Sequence, residues 1–266
     1  MPYSELKRTV LEIAEHDVAG GPKLGVLDDG IVVVALDNPE NRNALSLESI
    51  ASLHRLLSVL EKPGAAQGLV LHGAGHDIFC AGFSLKSLQG MSRLEISANP
   101  ASRLCDRIAA LPIPTALHAS GHVIGAGVQL AMSFDYRVGT PGTYVQVPAL
   151  KLGVFYGQSA LLRMKEELGA GRTRRIILSG RKIFADELLA AGFFDELRTK
   201  EEGLEAAIEN VRHCARASQT AYAETKAFLR AAGFSAPPPE ISTGAEQRCL
   251  ESSYFEEALR KLKRGE

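Results

Sequence analysis

A chain of 266 residues that is 45% hydrophobic and 23% charged is long enough to bury a full core. Its 30 Lys and Arg stand against 31 Asp and Glu, a formal net charge of −1 with the signs interspersed, which excludes polyanion binding as a main role and a polybasic membrane arm. Cys80, Cys105, Cys214 and Cys249 form no CxxC pair, no apolar run approaches the roughly 20 residues that span a bilayer, and the first eight residues hold no apolar signal core, so a reducing cytoplasm is the expected setting.

From Tyr3 to Asp17, Leu6, Val10, Leu11 and Ile13 are scattered among charges, a pattern open to an amphipathic helix or to an extended lead-in strand. Lys23 to Leu27, the Asp28-Asp29-Gly30 turn and the β-branched Ile31 to Leu36 predict a hairpin. After the turn-rich Asp37 to Asn43, Ser46 caps a helix with Leu47, Ile50, Leu53, Leu57 and Leu60 at helical spacing, ended by Pro63-Gly64. Gly68 to His72 is a short buried strand, followed by a loop through Phe79-Cys80-Ala81-Gly82-Phe83-Ser84 into a helix start at Ser84. A helix over about 101–110 leads to a strand from Thr115 to His118. Ser120 to Ala131 then reads as a strand end, a glycine-rich turn and a buried helix running to about Phe134.

Short strands follow at Tyr136 to Val138 and Thr143 to Val145, and from there the pattern turns helical. Helices are predicted over Ser159 to Leu168, Arg172 to Leu178, Ala185 to Ala191, Glu202 to Ala217, Ser218 to Ala232 and Gly244 to Lys263, with Pro237-Pro238-Pro239 as a stiff spacer. Strands alternating with helices define an α/β chain built from crossover units around a partly parallel sheet. The glycine-rich turn at Gly125 aims backbone N–H groups at whatever lies above it, the basis of an oxyanion hole. No His, Cys, Asp or Glu cluster has metal-ligand spacing, and Gly125-Ala126-Gly127 lacks the third glycine of a dinucleotide loop.

Six pieces in order, Asn38 to Leu45, Phe79 to Lys86, Gly121 to Ala131, Asp135-Tyr136-Arg137, Leu152-Gly153 and Gly180 through Gly192, resemble the crotonase superfamily (enoyl-CoA hydratase/isomerase fold) over roughly residues 25 to 200. The resemblance implies a spiral core of ββα crossover units over 1–200 and a C-terminal helical oligomerisation region over 201–266, in a homotrimer or dimer of trimers. It also implies a thioester of coenzyme A or of a carrier-protein phosphopantetheine as substrate, with no separate cofactor. By the family pattern the backbone N–H groups of Phe83 and Ala126, following the Ala81-Gly82 and Ile124-Gly125 bends, are the oxyanion donors. Arg42 and Lys86 fall where the family meets the phosphates of coenzyme A, and cationic donors suit phosphates.

Two glutamates hold the attacking water in the family's hydratases, and their positions here are Gln129 and Ala149, neither of which can carry a proton usefully. Standard hydration or a double-bond shift is therefore disfavoured, and decarboxylation, which needs no base, leads the candidates. Tyr156 matches a position where methylmalonyl-CoA decarboxylase-like members place an active-site tyrosine. His122 matches a Gly-His pair of polyketide β-branching decarboxylases, although Lys86 and Cys249 meet the rest of that pattern imperfectly. Two other readings stand beside it: a hydratase or isomerase with a relocated carboxylate such as Glu95, and a catalytically silent acyl-CoA binder.

Overall fold

The computed structural model describes residues 1–15, 20–74, 77–97, 99–233, 251 and 253–264. The Pro237-Pro238-Pro239 spacer, Cys249 and positions 244–250 of the last predicted helix lie outside them. The chain starts as a helix, α1 (Tyr3–Glu15), with Leu6 and Val10 one turn apart and buried, so its apolar residues follow the helical period. Strands β1 (Lys23–Val26) and β2 (Ile31–Leu36) form the expected antiparallel hairpin, with Val26 opposite Val32. Ser46 and Ser49 bond each other's backbones reciprocally and start α2 (Leu47–Leu60) where the sequence places it.

From β3 (Gly68–Gly73) onward the chain repeats one plan three times: a strand in a large sheet, a strand in a smaller one, then helix. The first circuit runs β3, β4 (Ile78–Cys80), then α3 (Leu85–Gln89), α4 (Arg93–Ser97) and α5 (Pro100–Ala109). The second is β5 (Thr115–Ala119), β6 (His122–Ile124) and α6 (Ala126–Ala131). The third is β7 (Tyr136–Gly139), β8 (Tyr144–Gln146), a 3₁₀ turn at Ala149–Leu152 and α7 (Gln158–Ser179). With β9 (Ile183–Phe184) and β10 (Glu196–Leu197), the sheets have the orders β1-β2-β3-β5-β7-β10 and β4-β6-β8-β9, parallel except at β1/β2 and β8/β9. This is the expected α/β spiral of crossover units.

The smaller sheet is where the sequence reading falls short. Phe79-Cys80 read as loop and Ser120 to Ile124 as a strand end running into a turn, yet the structure has β4 and β6 there. Strands of three residues carry too little alternation to be seen, and β6 exists because its backbone finds partners: His122 N–H donates to Asp77 O at 2.8 Å. Helix α6 also stops at Ala131 rather than near Phe134.

Helices α8 (Ala185–Ala190), α9 (Lys200–Ala215), α10 (Gln219–Gly233) and α11 (Ser253–Arg264) complete the described chain. Gly169, with φ 79 and ψ 153, breaks α7 into the two helices the sequence anticipates. Helix α9 belongs to the core: its Ala207, Ile208 and Val211 pack on Ile31, Val70, Ala116 and Val138 of the large sheet. Burying Ile208 and Val211 contributes about 1.5–3 kcal/mol each. A boundary at residue 201 thus cuts through this packing, because β5, buried along its whole length, needs cover on both faces. Among the described residues no helix is long and apolar enough to cross a membrane.

Candidate active site

Two glycine bends abut at the edge of the smaller sheet. Leu45 N–H donates to Gly82 O (2.7 Å) and Ser84 N–H donates to Leu45 O (2.8 Å), a parallel bridge that leaves the N–H of Phe83, between them, pointing away from Leu45. At the second bend, Gly125 turns the chain with φ 54 so that Ala126 opens α6, where a first-turn N–H has no partner within the helix. Among the described residues neither the Phe83 nor the Ala126 N–H has a hydrogen-bond partner. Gly82 has φ +100, and a Cβ there would stand 3.0 Å from Ile124 O and 3.1 Å from Ala126 N. Only glycine permits both that conformation and that approach.

Both bends open onto a cavity of about 380 Å³ walled by α3, α4, the start of α5, α6 and the 148–157 segment, with Leu85, Leu88, Met91, Ile96, Leu152 and Phe155 in its lining. Ala81, Phe83, Gly125, Ala126, Gln129, Ala149 and Tyr156 all line it beside Gly82, so the structure gathers seven of the ten anticipated site residues. Among the described residues Tyr156 is the only titratable one in the lining. Burial pushes its phenol well above the usual range, so it stays protonated. Its hydroxyl donates to Gly125 O at 2.9 Å. Gln129, 5% exposed, accepts from Ser102 Oγ at 2.8 Å. Cys80, just behind the first bend, has a thiol pushed up to about 12 by burial and is inert.

The remaining candidates lie elsewhere. His122 is the correction of most consequence: it opens β6 while the bend follows the strand's last residue, three positions on, which separates them by about 10 Å. Its ring stacks on Tyr144 with centroids 3.7 Å apart, and its Nδ1 accepts the Tyr144 N–H. Arg42 and Lys86 are exposed, the former at the loop whose carbonyl accepts Ala81 N–H, the latter one residue beyond Leu85 at the cavity wall. Glu95 points its carboxylate at Ser92, accepting from N–H and Oγ at 2.7 Å each on an exposed face. Asp135, in the matching piece Asp135-Tyr136-Arg137, binds Thr115, Tyr222 and Lys226, a structural knot. Ser102 and Asn99 were missed at this site. The capping pattern Asn99-Pro100-Ala101-Ser102 is readable as a helix start, and Asn99 Oδ1 does accept Ser102 N–H, but nothing local reveals that α5 then presses Ser102 against Gln129. Among the described residues no group of three or more His, Cys, Asp or Glu could hold a metal ion.

Repeated ββα circuits with paired glycine bends over an apolar cavity define the crotonase superfamily's α/β class. The family model for enoyl-CoA hydratase/isomerase matches residues 27–265, and the chain belongs to that family. Among solved structures, it is similar to a methylmalonyl-CoA decarboxylase in complex with 2-nitronate-propionyl-CoA, at 21% identity over 93% of this chain and 97% of that one, with a TM-score of 0.84. An enoyl-CoA hydratase from Mycobacterium avium subsp. paratuberculosis is 22% identical over 91% and 99% of the two chains (TM-score 0.79). One from Bacillus anthracis is 22% identical over 92% and 96% (TM-score 0.75). At these identities the likeness establishes the shared fold.

Proposed function

We propose that this chain decarboxylates a malonyl-type acyl thioester, holding the thioester carbonyl between the N–H groups of Phe83 and Ala126. The observation that carries the proposal is the chemistry of the cavity wall: among the described residues, two unpartnered N–H donors stand beside an apolar space whose one titratable residue is a neutral tyrosine. In the reaction the bond from the α-carbon to its carboxylate breaks, the electron pair passes into the enolate, carbon dioxide leaves, and a proton from water takes its place. Each aimed N–H lowers the barrier to that enolate by about 3 kcal/mol. A carboxylate desolvated among Leu88, Met91 and Ile96 is destabilised relative to neutral carbon dioxide, which pushes in the same direction. Arg42 and Lys86 hold the phosphates of coenzyme A or of a carrier-protein arm, and the active form is a homotrimer or dimer of trimers in the cytoplasm. The fold shared with a methylmalonyl-CoA decarboxylase supports this reading.

Water addition has less support, since among the described residues no carboxylate lines the cavity and Glu95 is engaged with Ser92. Carbon dioxide release from methylmalonyl-CoA and malonyl-CoA, followed beside hydration of crotonyl-CoA, tests the proposal. Release without hydration is expected. Hydration without release refutes it, and tight binding of coenzyme A esters with no turnover leaves the silent binder in its place.

A further inference from the structure

We infer that Tyr156 is a positioning residue that acts through the backbone, tuning the Ala126 N–H rather than handing a proton to substrate. The inference rests on the thioester reading above. The carbonyl that Tyr156 Oη–H binds at 2.9 Å is that of Gly125, and the Gly125 C=O and Ala126 N–H are the two ends of one trans peptide unit. A donor on the carbonyl end draws electron density toward oxygen and makes the N–H at the other end a stronger donor, the cooperative effect of linked hydrogen bonds. The same bond holds the peptide plane, which at Gly125 sits at φ 54 and ψ −122, outside the wells that side-chain-bearing residues favour. Val128 N–H also reaches Gly125 O at 3.0 Å, so the carbonyl accepts from both sides of the bend.

Gln129, also in the cavity wall, accepts from Ser102 Oγ–H at 2.8 Å, while the phenol hydrogen goes to Gly125 O. Gly157 belongs to the same device: a Cβ there would lie 2.3 Å from Ser102 Oγ and 2.9 Å from Asn99 Nδ2, so the segment carrying Tyr156 docks on α5 only without a side chain at 157.

Three measurements on the 266-residue protein test the inference. Labelling glycine carbonyls with ¹³C and alanine nitrogens with ¹⁵N restricts the spectrum to the five Gly–Ala peptides of the sequence, Gly125–Ala126 among them. In ligand-free protein, Tyr156→Phe should move the Ala126 amide proton upfield and leave the other assigned pairs in place. Site-specific 3-fluorotyrosine at 156, a stronger donor of nearly the same shape, should move it downfield. With carbonyl-¹³C butyryl-CoA bound, the infrared red shift of the thioester band should shrink by roughly 10–30% in the Phe variant and grow with fluorotyrosine. Methylmalonyl-CoA turnover should fall roughly two- to eight-fold with KM unchanged. An Ala126 amide unmoved by fluorotyrosine overturns the inference, even where Tyr156→Phe fails to fold. A wild-type thioester band that does not shift on binding, with the amide moving as expected, overturns instead the thioester reading beneath it.

Discussion

Replacing Gly82 by alanine perturbs the site through one methyl group whose surroundings are defined. At φ +100 an alanine costs about 1–3 kcal/mol of backbone strain. The new Cβ would sit 3.0 Å from Ile124 O, 3.1 Å from Ala126 N and 3.4 Å from Gly125 Cα, all backbone atoms that cannot rotate away. The two bends must therefore part by a few tenths of an ångström, which lengthens the hydrogen bonds to the oxyanion without removing a donor. Loss of a whole donor costs about 10²–10³-fold in kcat, so partial loss should cost about 10- to 30-fold. KM should stay within about twofold, because the apolar wall that binds the acyl group is untouched and the loss falls on the transition state. Stability should fall by about 1–3 kcal/mol, read by urea unfolding. The matched control is Gly25→Ala, where a Cβ meets nothing within 4 Å. Steady-state kinetics on methylmalonyl-CoA give the outcome. Wild-type kcat in a folded Gly82→Ala protein, or a loss appearing entirely in KM, refutes the oxyanion geometry.

Other consequences are as open to measurement. Among the described residues the lining holds no group that titrates near neutrality, and Tyr156 stays protonated, so kcat/KM should be flat between about pH 6 and 9; a bell-shaped profile would mean that a group outside this lining transfers the proton. His118, 2% exposed beneath α9, has its imidazole pushed down to about 4 by burial and, secondarily, by His72. Above pH 6.5 folded and unfolded chains both carry it neutral. Between there and pH 4 the unfolded chain takes up a proton that the folded one refuses, so up to about 3 kcal/mol of stability should disappear on acidification. His118→Asn should lose less over the same interval, and an equal loss in urea titrations at pH 7 and 4.5 would place the acid sensitivity elsewhere. Arg42→Ala and Lys86→Ala should each raise KM for coenzyme A esters about two- to ten-fold, an effect that fades with added salt, and leave kcat alone; a kcat effect would put those residues near the reacting carbon.

Much of this was legible before any coordinates. The hairpin, the Ser46 and Ser84 caps, the long strands of the large sheet and the helices from α7 onward all announce themselves through period, cap and turn residues, which act over a few positions along the chain. The two bends were readable too, because Ala81-Gly82 and Ile124-Gly125 each need a conformation that glycine supplies cheaply. So was the absence of acid and base at Gln129 and Ala149, a fact of residue identity alone. The chain by itself thus determined an α/β fold of crossover units with two glycine bends, and residue types at 129 and 149 that carry no proton usefully.

Tertiary structure decided what depends on partners far away in sequence. It made β4 and β6 strands, since three residues become a strand only when another strand supplies their hydrogen bonds. It turned His122 onto Tyr144 and away from the cavity, a direction set by sheet geometry rather than by nearness to Gly125 in the chain. And it placed Tyr156 against Gly125, 31 residues away, and Ser102 against Gln129, 27 residues away. A side chain's identity says what bonds it can make, whereas which bond it makes depends on what the fold brings within about 3 Å of it.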